Sequence, residues 1–249
     1  MVKPKDKKAA RAPARATTPR KRKPRSLYSP DEVREIFRRF SVQRPEPKGE
    51  LDHVNAFTLL VAVVLSAQAT DIGVNKATRG LFAVADTPRK MLALGEDRVG
   101  DHIRTIGLWR NKAKNVIALS QALIRDHDGQ VPADRDQLTK LPGVGRKTAN
   151  VVLNMAFGQP TFAVDTHILR IGNRLGLAPG KTPDAVEKRF VEIIPEDYLR
   201  RAHHWLILHG RYVCKARKPE CERCVIADLC KAADKTSAIP APLVECETG

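Results

Sequence analysis

The sequence predicts an all-α fold. Apolar residues recur at i, i+3, i+4, i+7, helix-start signals precede those runs, and no alternation of apolar and polar residues lasts long enough for a strand. The chain has 249 residues, enough for one large or two small domains with a real core. No internal repeat of solenoid period is present.

The first helix is expected at Ser29-Pro30-Asp31-Glu32. Ser29 and Glu32 match a capping box and Pro30 suits the first helical position. Its apolar stripe is Val33, Ile36, Phe37 and Phe40. After a linker holding Pro45 and Pro47, residues 55–67 are apolar on nearly every face and predict a central helix. Further helices are expected at about 71–83, in short pieces over 88–105, and at 110–127, where Gly129 follows. A pair at 134–140 and 146–157 ends at Gly158, and helices near 167–175, 183–193 and 197–211 complete the series.

The formal charge of +16 favours a polyanionic partner. Residues 1–26 carry eleven Lys or Arg and one acid, Asp6, so +10 of that charge sits on a Pro- and Ala-rich arm without aromatics. Such an arm cannot bury a core and is expected to be disordered. It would bind nucleic acid by counterion release, or serve only as a solubilising extension. No segment has the roughly 18 uninterrupted apolar residues that span a membrane, and no secretory h-region stands near the N-terminus. The expectation is an intracellular protein with no membrane partner.

Four of the five cysteines, Cys214, Cys221, Cys224 and Cys230, fall within seventeen residues as C-x6-C-x2-C-x5-C. In an intracellular protein this reads as a metal site rather than as disulfides. Zinc sites usually pair two doublets across a longer loop, whereas here one doublet sits in one compact loop. That arrangement suits a 4Fe–4S cluster, and the spacing leaves zinc open as the alternative. Lys215, Arg217, Lys218 and Arg223 lie among the ligands, to offset cluster charge or to face phosphates. Cys246 lies apart and reads as a free thiol. His203, His204 and His209 share one helix without a carboxylate to complete a metal site, so packing and hydrogen bonding are expected of them.

The most informative stretch is LPGVGRKTA at 141–149. Gly143, Val144 and Gly145 form a tight turn that feeds a helix at Arg146, whose first N–H groups would face an anion. Lys147 sits on that first turn, and Asp165 opens a later helix. The pair reads as an amine nucleophile with a carboxylate beside a phosphate grip. The plainer alternative is an ordinary helix–turn–helix, with Lys147 a solvated charge and Asp165 an N-cap.

With these pieces placed, the chain resembles the endonuclease III family of helix–hairpin–helix base-excision DNA glycosylases. The resemblance covers roughly residues 29–232. It rests on LSAQATD at 65–71, TIGLWRNKA at 105–113, LPGVGRKTANVVLN at 141–154, AVDTHILR at 163–170, HHWLILHGRYVC at 203–214, and the cysteine spacing. It implies two helical domains: a six-helix barrel with the helix–hairpin–helix motif over 51–160, and a discontinuous iron–sulfur domain from 28–50 and 161–232. Residues 1–27 are then a basic arm outside the family pattern and 233–249 a flexible tail. The lesion pocket is expected between the domains.

The resemblance further implies a bifunctional glycosylase and abasic-site lyase. Its partner is duplex DNA with oxidised pyrimidines or abasic sites, and the protein is a monomer in the nucleoid-associated cytoplasm. Lys147 matches the nucleophile, Asp165 its carboxylate, and the four cysteines the 4Fe–4S ligands. A desolvating pocket is expected around Lys147, because the amine must lose its proton to attack. Gln68 matches the residue that fills the gap left by an extruded nucleotide, and Leu108 an apolar wedge. Gly143, Val144, Gly145 and Arg146 are expected to face the DNA backbone. Without the resemblance, Leu108 reads as a core leucine and Gln68 as a helix-end amide.

Three rival readings remain, one within enzymes and two from other classes. An adenine mismatch glycosylase shares hairpin and cluster, but usually lacks the lysine and carries a further C-terminal domain, whereas little chain follows Cys230. A non-catalytic DNA-binding module would use hairpin and metal loop only to grip phosphates. An iron–sulfur electron carrier would need neither hairpin nor basic arm.

Overall fold

The computed structural model describes residues 25–243. Residues 1–24 and 244–249, with most of the basic arm and Cys246, lie outside the described residues. Eleven α-helices and one short 3-10 turn at Cys221–Arg223 make up the regular structure among the described residues.

The first helix, α1 (Pro30–Gln43), begins with the expected capping box: Ser29 N donates to Glu32 Oε2 at 2.7 Å, and Glu32 N to Ser29 Oγ at 3.2 Å. The barrel body follows as α2 (Ala56–Leu65), α3 (Asp71–Val84), α4 (Pro88–Leu94), α5 (Glu96–Ile103), α6 (Trp109–His127), α7 (Arg135–Leu138) and α8 (Arg146–Phe157). Then come α9 (Thr166–Leu175), α10 (Pro183–Ile193) and α11 (Glu196–Tyr212).

Two main cores result. Leu60, Leu65, Leu81, Met91, Ile103, Leu119 and Val152 are buried together from α2 to α8. Ile36, Phe37 and Phe40 of α1 are buried instead with Phe162, Ile171, Phe190 and Trp205, so the first helix belongs with the last three. Phe37 lies against the rings of Tyr198 and Trp205 at 6.4 and 6.5 Å, and the Trp205 indole donates to the Arg44 carbonyl at 2.7 Å. A small third cluster, Leu59, Val63, Val151 and Ala163, forms the seam between the bodies. This explains why α2 is apolar all round: one face lines the barrel core and another the seam.

Two expectations change. The central helix stops at Leu65, two residues early, because the Ser66 hydroxyl turns back to the Val63 carbonyl at 2.8 Å and the chain reverses at Gln68. The described part of the expected flexible tail is tied down. Ala241 N donates to the Cys224 carbonyl at 3.1 Å, Thr236 N reaches Cys221 Sγ at 3.4 Å, and Asp234 binds Arg174 at 2.7 Å. The polar composition of the tail hid those contacts, which need partners distant in sequence.

Candidate active site

The hairpin between α7 and α8 is built on its buried residues. Leu141 and Val144 are buried in the barrel core, and Val144 N closes the turn on the Leu141 carbonyl at 3.1 Å. Val144 therefore offers only backbone outward. Gly143 has φ 75°, and a Cβ there would stand 3.3 Å from Val64 Cγ1 and 3.5 Å from Asn115 Cβ, so this position needs glycine. Gly145 is the N-cap of α8 and has no side chain to cap it. The first N–H groups of α8 are left for a ligand or water, at the positive end of the helix dipole.

Lys147 is exposed, on the rim of a cavity between the two bodies. Glu50, Ser66, Asp71, His203, His204 and Arg211 line the same cavity. The desolvating pocket expected around Lys147 is not provided by the protein alone. Lys147 lines the cavity yet stays exposed, and bound substrate would have to exclude the water.

Asp165 is half-buried and caps α9, accepting from Ile168 N at 2.8 Å. No hydrogen bond or ion pair joins it to Lys147 among the described residues. The link between them is made by the scaffold. Asn150 lies one turn after Lys147 and donates to the Phe162 carbonyl at 3.0 Å, while Thr161 Oγ1 returns a bond to the Asn150 carbonyl at 2.6 Å. Asn154 donates to the carbonyls of Gln159, Thr161 and Arg200. His203 Nδ1 lies 3.0 Å from the Ala163 carbonyl, so it carries the hydrogen. Burial holds His203 at a pKa of about 3, well below an ordinary histidine, with His204 and Lys147 adding to the effect. Segment 159–165, leading to Asp165, is thus pinned from α8 and α11.

Gln68 and Leu108 share an unusual backbone. Their φ values are 55° and 59°, in the left-handed region that side chains disfavour. Both side chains are exposed, so the core-leucine reading of Leu108 does not hold, while Gln68 lies just past the end of α2. Their loops are neighbours: a Cβ on Gly73, at the start of α3, would stand 3.9 Å from Ile106 Cγ2. Non-glycine strain at two adjacent exposed loops is characteristic of functional sites.

Arg146 is not a free hairpin cation. It forms a two-pronged pair with Glu187 of α10, Nε to Oε2 at 2.9 Å and Nη2 to Oε1 at 2.7 Å. Sequence reasoning missed Glu187, and also Arg211, which bridges Glu50 and Asp71 across the seam. It missed Asn150 and Asn154 as well, although two asparagines four apart in the apolar run NVVLN were the available signal.

The four cysteines line one cavity, with Arg174 and His209. Cys214, Cys224 and Cys230 are buried. Among the described residues no three His, Cys, Asp or Glu converge where a single metal ion could sit. Thiols that line one shared space suit a cluster in which each sulfur takes its own iron. Burial raises the Cys224 thiol to about 12, so a thiolate there needs a compensating positive metal. Of the loop cations, Lys215 and Arg223 are tied to Glu220, while Arg217 and Lys218 are exposed. The three histidines of α11 are buried, as packing residues are. Among the described residues no helix is long and apolar enough to cross a membrane.

Comparison with known proteins decides the family. Residues 61–196 match the HhH-GPD superfamily of base excision DNA repair proteins, and residues 214–230 match the iron-sulfur binding domain of endonuclease III. Endonuclease III of Rickettsia conorii is 59% identical over 198 residues, covering 80% of this chain and 94% of that protein. The chain belongs to the endonuclease III family. Endonuclease III of Escherichia coli K12 is 54% identical over 201 residues, 81% of this chain and 95% of its own. Among solved structures, a trapped endonuclease III–DNA covalent intermediate superposes with a TM-score of 0.77 at 45% identity, over 82% of this chain and 97% of that one. As an endonuclease III family member, the protein is a DNA glycosylase with abasic-site lyase activity and carries an iron–sulfur cluster of the 4Fe–4S type.

Proposed function

We propose that Lys147 is the nucleophile and Asp165 its carboxylate partner in the removal of oxidised pyrimidines from duplex DNA. The flipped nucleotide enters the cavity between the bodies. The neutral Lys147 amine attacks the sugar C1′ and the base leaves with the bonding electron pair. Loss of the amine proton opens the sugar to a Schiff base. Removal of a proton from C2′ then expels the 3′ phosphate by β-elimination, breaking the strand 3′ to the lesion. An amine suits both steps, because an imine acidifies C2′, whereas water would stop at the abasic site. Asp165 stabilises the developing positive charge or takes a proton.

Gln68 and Leu108 enter the gap that the flipped nucleotide leaves, and the backbone of Gly143, Val144, Gly145 and Arg146 meets a phosphate. Cys214, Cys221, Cys224 and Cys230 hold the cluster, which braces the loop against the α1, α9–α11 core. The protein acts as a monomer on damaged or abasic duplex DNA, in the cytoplasm at the nucleoid.

One observation carries this reading: Lys147 stands exposed on the first turn of the hairpin helix, at the mouth of the inter-body cavity. Borohydride reduction with a duplex carrying thymine glycol should give a covalent complex. Lys147→Ala should give neither complex nor cleaved strand; a trapped species in that variant would assign the nucleophile elsewhere.

A further inference from the structure

Glu187 lies on α10, beside Val186 and Phe190 of the second core, yet its carboxylate serves the hairpin of the other body. Its side chain is 10% exposed. A carboxylate so buried needs cationic partners. It has two, one from each hairpin helix: Arg146 on the first turn of α8, paired through both nitrogens, and Arg135 of α7, with Nη1 at 3.7 Å. Asp184, one turn earlier on α10, stands 3.8 Å from Arg146 Nε. Arg146, its side chain 47% exposed, is therefore flanked by two acids at the place where the first N–H groups of α8 are left free of intrahelical partners.

We propose that Glu187 is a specificity-determining residue that withholds Arg146 from the DNA backbone, so that the hairpin grips phosphate through its N–H groups alone. This inference rests on the reading that the hairpin end faces DNA. The logic is that of discrimination. A free arginine contacts any phosphate and strengthens binding to all DNA equally, which dilutes the preference for a lesion. Backbone N–H groups at a helix start demand one position and direction of the phosphate, and so set register without adding bulk affinity. The bidentate pair also fixes the turn that carries the adjacent Lys147.

The test is the salt dependence of binding to undamaged duplex, measured by anisotropy on the full-length, cluster-loaded protein. Each phosphate neutralised by a side chain contributes a slope of about −0.9 in log K against log salt. The basic arm contributes equally to every variant. Glu187→Gln keeps the shape and removes the charge. It should steepen the slope by about 0.9 and reduce the ratio of lesion to undamaged affinity. Arg146→Gln in the wild-type background should leave the slope unchanged, and the double variant should return to the wild-type slope. A slope unmoved by Glu187→Gln, even with lowered Tm, overturns the proposal by making Glu187 merely structural. A slope shallower by about 0.9 in Arg146→Gln overturns it too, because Arg146 would then already contact phosphate.

Gly145→Asp separates failure of the underlying reading. Gly145 has φ −92° and open space around a Cβ, so aspartate fits and caps α8. Its charge should weaken DNA binding. Wild-type affinity in Gly145→Asp would show that the hairpin end does not face DNA, whatever Glu187 does.

Discussion

The Asn150 side chain donates to the Phe162 carbonyl at 3.0 Å, and this bond joins the helix of Lys147 to the segment that ends in Asp165. No hydrogen bond or ion pair joins the two catalytic candidates among the described residues, so their relative placement depends on such ties. Asn150→Leu keeps the branched shape, with somewhat greater bulk, and leaves the buried Phe162 carbonyl without its donor, at a cost of about 1–3 kcal/mol. Denaturant unfolding should show that loss. Single-turnover cleavage should slow while affinity for lesion DNA stays near wild type. Equal losses of affinity and turnover would mean that the bond holds up the fold without setting the site.

Asp165 has two separable jobs. Its carboxylate caps α9 through Ile168 N at 2.8 Å, and on the proposed function its charge also serves the reaction. Asparagine caps about as well as aspartate, whereas alanine loses roughly 1 kcal/mol. Asp165→Asn should therefore keep wild-type Tm and DNA binding but lose turnover. Asp165→Ala should lose both Tm and turnover. Full activity in the asparagine variant would leave Asp165 as a cap only.

How much of this was legible in the sequence depends on the range of the interaction. Ser29 with Glu32, and the α1 stripe, act within one or two helical turns, so the spacing showed them. The cysteine loop is local for the same reason. The positive φ of Gln68 and Leu108 is a backbone property that neither residue type announces, since glycine or asparagine is usual there. Glu187 with Arg146, 41 residues apart, and Arg211 with Asp71, 140 apart, are meetings that only the fold creates. The hairpin pointed to Lys147 and the resemblance supplied the domain scheme, but neither gave the exposure of Lys147, which depends on the fold around it.

Leu108 holds φ 59° with its side chain 61% exposed, so its present form costs stability without packing benefit. The left-handed conformation costs a non-glycine residue about 1–2 kcal/mol, part of which glycine returns as chain entropy. Leu108→Gly should therefore unfold at an equal or higher denaturant midpoint than wild type. Lesion cleavage should nonetheless fall, because the apolar wedge is gone. A variant that lost stability would mean that Leu108 packs against something that its exposure conceals. A variant with unchanged cleavage would remove the wedge role.

His203 ties stability to acid. Its folded pKa of about 3 lies far below the ordinary value of about 6.5, chiefly through burial, with His204, Lys147 and Arg211 as the cationic neighbours that add to it. Above pH about 6.5 both folded and unfolded chains hold the ring neutral, and this group has no effect on stability. Below that, the unfolded chain takes up a proton that the folded chain refuses, so stability falls with falling pH until the folded ring titrates near 3. One such group contributes a slope approaching about 1.4 kcal/mol per pH unit. His203→Asn retains a donor for the Ala163 carbonyl through its amide and cannot titrate. Urea unfolding between pH 6.5 and 5, a range of about 1.5 units within that window, should give a shallower fall for the variant than for wild type. Parallel curves would mean that the ring takes a proton in the folded protein, and that the bond to Ala163 does not depend on a neutral imidazole.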